Sequence, residues 1–291
     1  MDYQWYPGHM TKARRMMQEN IALIDLLIEL TDARAPQAGR NPDIDTLAKG
    51  KSRIVVLNKA DLADETATRE WRDALEEQGF LTAAIDSRKG SGVRQLKPLI
   101  DKACAQKIER DRKRGIVNRP VRAMIAGIPN VGKSTFINSF AGRAAAKTGD
   151  KPGVTKGKQW IRLNRNVELL DTPGILWPKF DDREVGMKLA LIGSIKDEIT
   201  DAAELAAWLI GYLRQEYPGI LEKRYNLDEA VPVTDDTDSS GMNDIEIILT
   251  NIALRRGCLK AGGEADLEKA SKTLIDDFRS GRLGSITLEK A

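Results

Sequence analysis

The chain has 291 residues, of which 41% are hydrophobic and 31% charged, with a formal net charge of +3. Such a composition describes a soluble globular protein, and this length makes two cores a better expectation than one. It leaves no apolar run long enough to cross a bilayer, and a charge this small does not by itself argue for nucleic acid, so the placement of the basic residues matters more than their sum.

In chain order, the first residues, MDYQWYPGHM, lack the apolar core of a signal peptide. Short apolar runs of strand length then follow at Leu26 to Thr31 (LLIELT), Arg53 to Asn58 (RIVVLN), Leu81 to Ile85 (LTAAI), Val121 to Gly127 (VRAMIAG) and Val167 to Asp171 (VELLD). Helical patterns separate several of them. The alternation predicts an α/β domain, a mostly parallel sheet with helices on both faces. Cys104 and Cys258 are far apart and lack metal-ligand spacing, which fits a reducing, cytoplasmic setting. Basic residues gather twice. KIERDRKRGIVNRPVR, Lys107 to Arg122, reads as a solvated helix and linker or as an RNA contact. The stretch from Arg143 to Arg165 holds Arg143, Lys147, Lys151, Lys156, Lys158, Arg162 and Arg165 against one acid, Asp150.

After Trp177 only helical patterns remain. Asp201 and Glu204 form a capping box ahead of Ala202, Leu205, Ala206, Leu209, Ile210 and Leu213. A second amphipathic helix is expected around Ile245, Ile248, Leu249 and Ile252, and a third around Leu267, Ala270, Leu274 and Phe278, with the acidic TDDTDSSG (Thr234 to Gly241) as a loop between the first and second. The expected organisation is a nucleotide-binding domain over 1–178 and a small all-α domain over 179–291.

The chemistry lies at the ends of the strands. GIPNVGKS, Gly127 to Ser134, matches G-x-x-x-x-G-K-S between a strand and a helix, the context that a phosphate-binding loop requires. Asn130, Val131, Gly132, Lys133, Ser134 and Thr135 then form the cradle. Its amides point at phosphate oxygens, Lys133 places a cation on the β and γ phosphates, and the Ser134 hydroxyl ligates magnesium. DTPG, Asp171 to Gly174, follows the next strand. Asp171 is expected to hold the ion and the Gly174 amide to bond the γ-phosphate, while Thr155, in KPGVTKGKQW between the two motifs, supplies a second hydroxyl to magnesium from a loop ordered by the triphosphate.

NKAD, Asn58 to Asp61, ends the strand RIVVLN as a base-reading loop does. Asp61 can accept hydrogen bonds from guanine N1 and its exocyclic amine. Asn58 braces the loop, the stem of Lys59 can lie over the base, and Ala60 completes the turn. IDSRKGSG follows the next strand, where Asp86 and Ser87 are placed to meet the base, the Ser87 amide facing its oxygen. These motifs describe a GTP site in the wrong order, because the base loop precedes the phosphate loop. Termini of a compact α/β domain often lie close together, so joining them and opening the chain elsewhere preserves the site. The domain is expected to be a circularly permuted P-loop GTPase domain.

WYPGHMTKA, LTDARAP with NP after it, GIPNVGKS, PGVTKGKQW, DTPGILWPKF and DDFRSGRLG together resemble the YlqF/RbgA family of bacterial GTPases that act in large ribosomal subunit assembly. The resemblance covers nearly the whole chain. It implies a permuted GTPase domain followed by a helical RNA-binding domain, and a large ribosomal subunit precursor with its rRNA as the partner, the protein being a monomer off the ribosome. One departure is Asp86-Ser87-Arg88, where the usual base loop reads Ser-Ala-Lys.

Ras-like GTPases orient the attacking water with a glutamine directly after the D-x-x-G turn, and here that position is Ile175. The single histidine, His9, reads from its neighbours as an exposed or capping residue; the resemblance implies that it positions the water instead. Asn130 reads alone as a loop asparagine bonded to its own backbone, and by likeness to related GTPases as the ligand of a potassium ion. Three functions are weighed: a GTPase switch, which leads, a GTP-dependent RNA-binding scaffold with negligible hydrolysis, which Ile175 keeps open, and an ATP-using P-loop enzyme, which Asp61 opposes.

Overall fold

A computed structural model describes residues 8–116, 119–142, 159–163, 166–171, 182–227 and 240–291, with side chains for all of these except 8–13, 159, 171 and 240–243. By its contacts the chain divides into two units, Met1–Gly186 with Glu289–Ala291, and Met187–Leu288.

The first unit opens with α1 (Gly8–Asn20), β1 (Leu26–Asp32), α2 (Pro42–Leu47), β2 (Ser52–Asn58), α3 (Glu65–Glu77) and β3 (Leu81–Ile85). It continues with α4 (Leu96–Ala103), α5 (Ala105–Lys113), β4 (Val121–Gly127), α6 (Lys133–Ala141), β5 (Gln159–Arg162) and β6 (Val167–Asp171). All five strands expected from sequence form. The sheet has the order β3-β2-β1-β4-β6-β5, parallel throughout except for β5, which pairs antiparallel with β6 from Gln159↔Asp171 to Arg162↔Glu168. That strand is not among the five expected from sequence. Its four residues are too few to establish an alternating pattern, and only pairing with β6 defines it.

Every residue of β1 is buried, as suits a central parallel strand covered on both faces. On one face Leu27, Met124 and Leu170 pack with Met17 of α1 and Ile44 of α2. Val55 and Leu57 share that face and pack with Trp71 and Leu75 of α3. Helix α3 starts at its cap, Asp64, whose side chain accepts from the Ala67 amide, and it turns Thr68, Trp71 and Leu75 inward at helical spacing. Helix α4 packs on β2 and β3, and α6 on β4 and β6. The carboxyl-terminal residues belong to this unit too: the Glu289 carboxylate accepts from the Gln37 amide at 2.6 Å and the Ala38 amide at 3.0 Å, and Trp71 Nε1 donates to the Glu289 carbonyl at 3.2 Å.

Part of the first basic gathering serves this framework. Lys107, on α5, lies 3.2 Å from Asp25 and 3.3 Å from Asp111 with little exposure, so it is an internal tie. The second gathering falls, apart from Arg162, outside the described residues. Both cysteines are buried, and burial pushes the Cys104 thiol up to about 11, which keeps it protonated and unreactive at neutral pH.

Helix α7 (Arg183–Leu191) begins in the first unit and ends in the second, which is otherwise built of α8 (Ala202–Glu216), α9 (Ile220–Tyr225), α10 (Ser240–Arg256) and α11 (Leu267–Arg279). The three expected helices are α8, α10 and α11. Asp201 caps α8 by accepting from the Ala203 and Glu204 amides, and Leu205, Ala206, Leu209, Ile210 and Leu213 are buried as their spacing predicts. α8 and α10 both pack on α11, which buries Leu274 and Phe278. At the end of α11, Asp277 is 2% exposed and accepts from Arg224 Nε at 2.8 Å, Tyr225 Oη at 3.1 Å and Arg282 Nε at 2.5 Å. None of the described helices is long and apolar enough to cross a membrane.

Candidate nucleotide site

From β1 the chain runs outward to β2 and β3, and from β4 it runs the other way to β6 and β5. The order reverses between β1 and β4. In an open parallel sheet, the crevice at the carboxyl ends of two such strands is where ligands bind. The phosphate-loop motif leaves β4, NKAD leaves β2, and the Asp86 loop leaves β3, all at this edge.

The loop after β4 has little spatial freedom. A Cβ at Gly127 would stand 2.5 Å from the Leu30 carbonyl oxygen, so β4 can lie this close to β1 only as glycine. Asn130 has φ 57 and Gly132 φ 97, two left-handed positions that curl the backbone before α6 begins at Lys133. Lys133 is 8% exposed, and its Nζ donates to the carbonyls of Gly127 at 3.0 Å and Ile128 at 2.8 Å, which places the ammonium across the mouth of the curl. Ser134 and Thr135 stand half-buried in the first turn of α6, whose amino-terminal amides favour an anion.

Asn58 joins three loops. Its Nδ2 donates to the Val131 carbonyl at 2.7 Å, and its Oδ1 accepts from Ser87 Oγ at 2.7 Å and the Ser87 amide at 3.2 Å. The Ser87 amide, expected to face the base, is therefore engaged with Asn58. Asp86 is buried and closes its own loop, its Oδ1 accepting from the Arg88 and Lys89 amides at 2.8 and 3.1 Å. Asp61 is exposed in the short helical turn Ala60–Leu62.

One constellation lies within the segment LTDARAP, to whose Asp32 and Arg34 the sequence alone assigns no role. Asp32, the last residue of β1, is fully buried and held by Arg34, with Nε at 2.9 Å from Oδ1 and Nη2 at 2.8 Å from Oδ2, while Lys59 Nζ lies 2.8 Å from Oδ2. Burial alone would raise the carboxyl pKa, but the Arg34 and Lys59 charges and their hydrogen bonds outweigh it and hold it well below the usual carboxylate range. The available signal was a D-x-R pair at the end of a mostly apolar strand.

Among the remaining expected site residues, Asp171 ends β6 and His9 lies in α1, but their side chains are outside the described residues, as are Thr155, Gly174 and Ile175 altogether.

A parallel sheet with a phosphate loop at its switch point, and a guanine-type loop braced against it from an earlier strand, defines a circularly permuted P-loop GTPase. Comparison with known proteins agrees. A family described as "50S ribosome-binding GTPase" matches residues 122–231. The chain is 44% identical over 290 residues to Ribosome biogenesis GTPase A of Bacillus licheniformis, covering 100% of this chain and 99% of that protein, and 32% identical over 286 residues to the Thermotoga maritima protein of the same name, covering 98% and 94%. A crystal structure of GNP-bound YlqF from T. maritima matches with a TM-score of 0.64 at 26% identity, covering 96% of this chain and 98% of that one. The chain belongs to the Ribosome biogenesis GTPase A (YlqF/RbgA) family.

Proposed function

We propose that this GTPase binds a precursor of the large ribosomal subunit through its rRNA and promotes a late step of that subunit's assembly in the cytoplasm, leaving as a monomer. The observation that carries this reading is the extent of the likeness. Alignment with Ribosome biogenesis GTPase A runs over essentially the whole of both chains, including the helical part, on which nucleotide chemistry makes no demand. That part, residues 179–291, supplies the RNA-binding surface. Its Arg224, Arg256 and Arg282 gather around the single Asp277, an excess of positive charge suited to phosphate.

At the nucleotide, Asp61 reads guanine, Asn58 and Ala60 shape the base loop with Asp86 and Ser87, and Lys133 offsets charge on the β and γ phosphates. Ser134, Thr155 and Asp171 are hard oxygen donors of the kind magnesium takes, and the ion supplies charge neutralisation there. Gly174 senses the γ-phosphate, Asn130 holds potassium, and His9 orients water in place of the glutamine that Ile175 replaces.

Sedimentation with large-subunit precursors in a sucrose gradient tests the switch. Comigration with a non-hydrolysable GTP analogue and release with GDP is the expected result; equal distribution in the two states would overturn it. In potassium buffer the particle should stimulate GTP turnover, and His9→Ala should lose that stimulation at unchanged GTP affinity, the mark of an interaction made mainly in the transition state. Turnover that stays negligible with the particle present would favour the scaffold reading.

A further inference from the structure

We propose that Asp32 and Arg34, which lie outside the nucleotide-binding motifs, are positioning residues for the guanine base, acting by pinning the Lys59 ammonium so that the Lys59 stem forms a pre-set wall of the base site. The proposal rests on the reading of NKAD as the base loop.

Charge balance is the first argument. A carboxylate taken out of water costs several kcal/mol unless it is paired. The Arg34 fork, together with the Arg34 amide donating to Oδ1 at 3.1 Å, already provides one full positive charge and three hydrogen bonds. Neutralising Asp32 needs no second cation, yet Lys59 Nζ lies at 2.8 Å. Its presence is better explained by what the contact does for Lys59.

Backbone conformation is the second. Lys59 has φ 60 and ψ 35, left-handed and without the excuse of being glycine. Such residues are strained and persist where their surroundings over-determine them. Two backbone bonds flank it here: the Ala33 amide donates to the Asn58 carbonyl at 2.8 Å, and the Leu62 amide to the Lys59 carbonyl at 2.9 Å. With the ion pair, they turn the Lys59 side chain back toward the end of β1, across the crevice edge.

The consequence is preorganisation. A lysine side chain is among the most costly to immobilise, and one fixed during folding does not have to be fixed again when the base arrives. Removing the pin should therefore appear as weaker nucleotide binding rather than as loss of fold.

The experiment measures GDP affinity by fluorescence titration for Lys59→Met, Lys59→Arg, Asp32→Asn and the Lys59→Met/Asp32→Asn pair. Lys59→Met keeps the stem and leaves Asp32 with its Arg34 partner, so it tests the idea even if Asp32→Asn does not fold. Lys59→Met should weaken GDP binding about tenfold, the scale of one long side chain's rotamer freedom. Lys59→Arg, which can keep the pairing, should restore most of it, and the pair should bind no more weakly than the worse single variant. Wild-type affinity in Lys59→Met, or fully additive losses in the pair, would overturn the pin. Asp61→Asn separates this from failure of the underlying reading: if it shifts preference from guanine to xanthine nucleotides while Lys59→Met is silent, only the pin is wrong, and if it shifts nothing, NKAD is not the base loop.

Discussion

Asn58 Nδ2 donates to the Val131 carbonyl at 2.7 Å across 73 positions of sequence, so the loop that follows β2 is tied directly to the loop that follows β4. Asn58→Ala removes this bond and both bonds to Ser87, leaving buried polar groups unsatisfied. Each such group costs about 1–3 kcal/mol, part of which is recovered by relaxation, so GDP affinity should fall by roughly ten- to a hundredfold. Titration with a fluorescent GDP analogue checks this, and affinity within twofold of wild type would mean that the bridge does not couple the loops.

Gly132→Ala should act on the same joint from the other side. The position has φ 97, and a Cβ there would stand 2.6 Å from Asn58 Nδ2. The variant is expected to fold and to lose more than about tenfold in GDP affinity, because backbone strain of roughly 1–3 kcal/mol falls on the phosphate loop. Far-UV circular dichroism with the same titration distinguishes this from misfolding.

Glu289 fastens the loop after β1 from the far end of the chain. Glu289→Ala removes the acceptor of the Gln37 and Ala38 amides, and a stop codon at 289 also removes the partner of Trp71. Partly exposed charge-assisted bonds of this kind are worth about 1–2 kcal/mol together, a lowering of a few degrees in the melting temperature of the GTPase unit. The stop variant should fall further than Glu289→Ala in differential scanning calorimetry; equal lowering would leave the Trp71 bond without effect, and unchanged melting temperatures would show that none of these bonds stabilises the unit.

Asp277 makes the helical unit acid-sensitive. Burial raises its pKa, but hydrogen bonds from Arg224, Arg282 and Tyr225 and the Arg224 charge overcome that and leave it below the ordinary value. A depressed folded-state pKa means that its stabilisation is fully present above the unfolded value of about 4 and is lost as pH falls from there through the folded value. Melting temperature should thus be insensitive to this group from pH 8 to about 5 and decline below about 4. Arg224→Met should lower stability at pH 7 and shrink the acid-dependent part; an unchanged pH profile would contradict the assignment.

Local pattern determines much of this protein. Strand-length apolar runs ending in NKAD, IDSRKG and GIPNVGKS, and apolar residues recurring at helical spacing after Asp201, suffice for the element types and for the permuted order, because each depends on residues adjacent in sequence. What the tertiary structure alone decided are contacts among residues that the chain keeps apart. The strand Gln159–Arg162 exists by pairing with β6. The Ser87 amide is committed to Asn58 rather than open to a base, and Asp86 to its own loop. Asp32, one acid after six mostly apolar residues, has its meaning set by a lysine at the end of the neighbouring strand. Periodicity reports which face a side chain takes, whereas the partner it meets there depends on strand order and register, and those are fixed only when the sheet assembles.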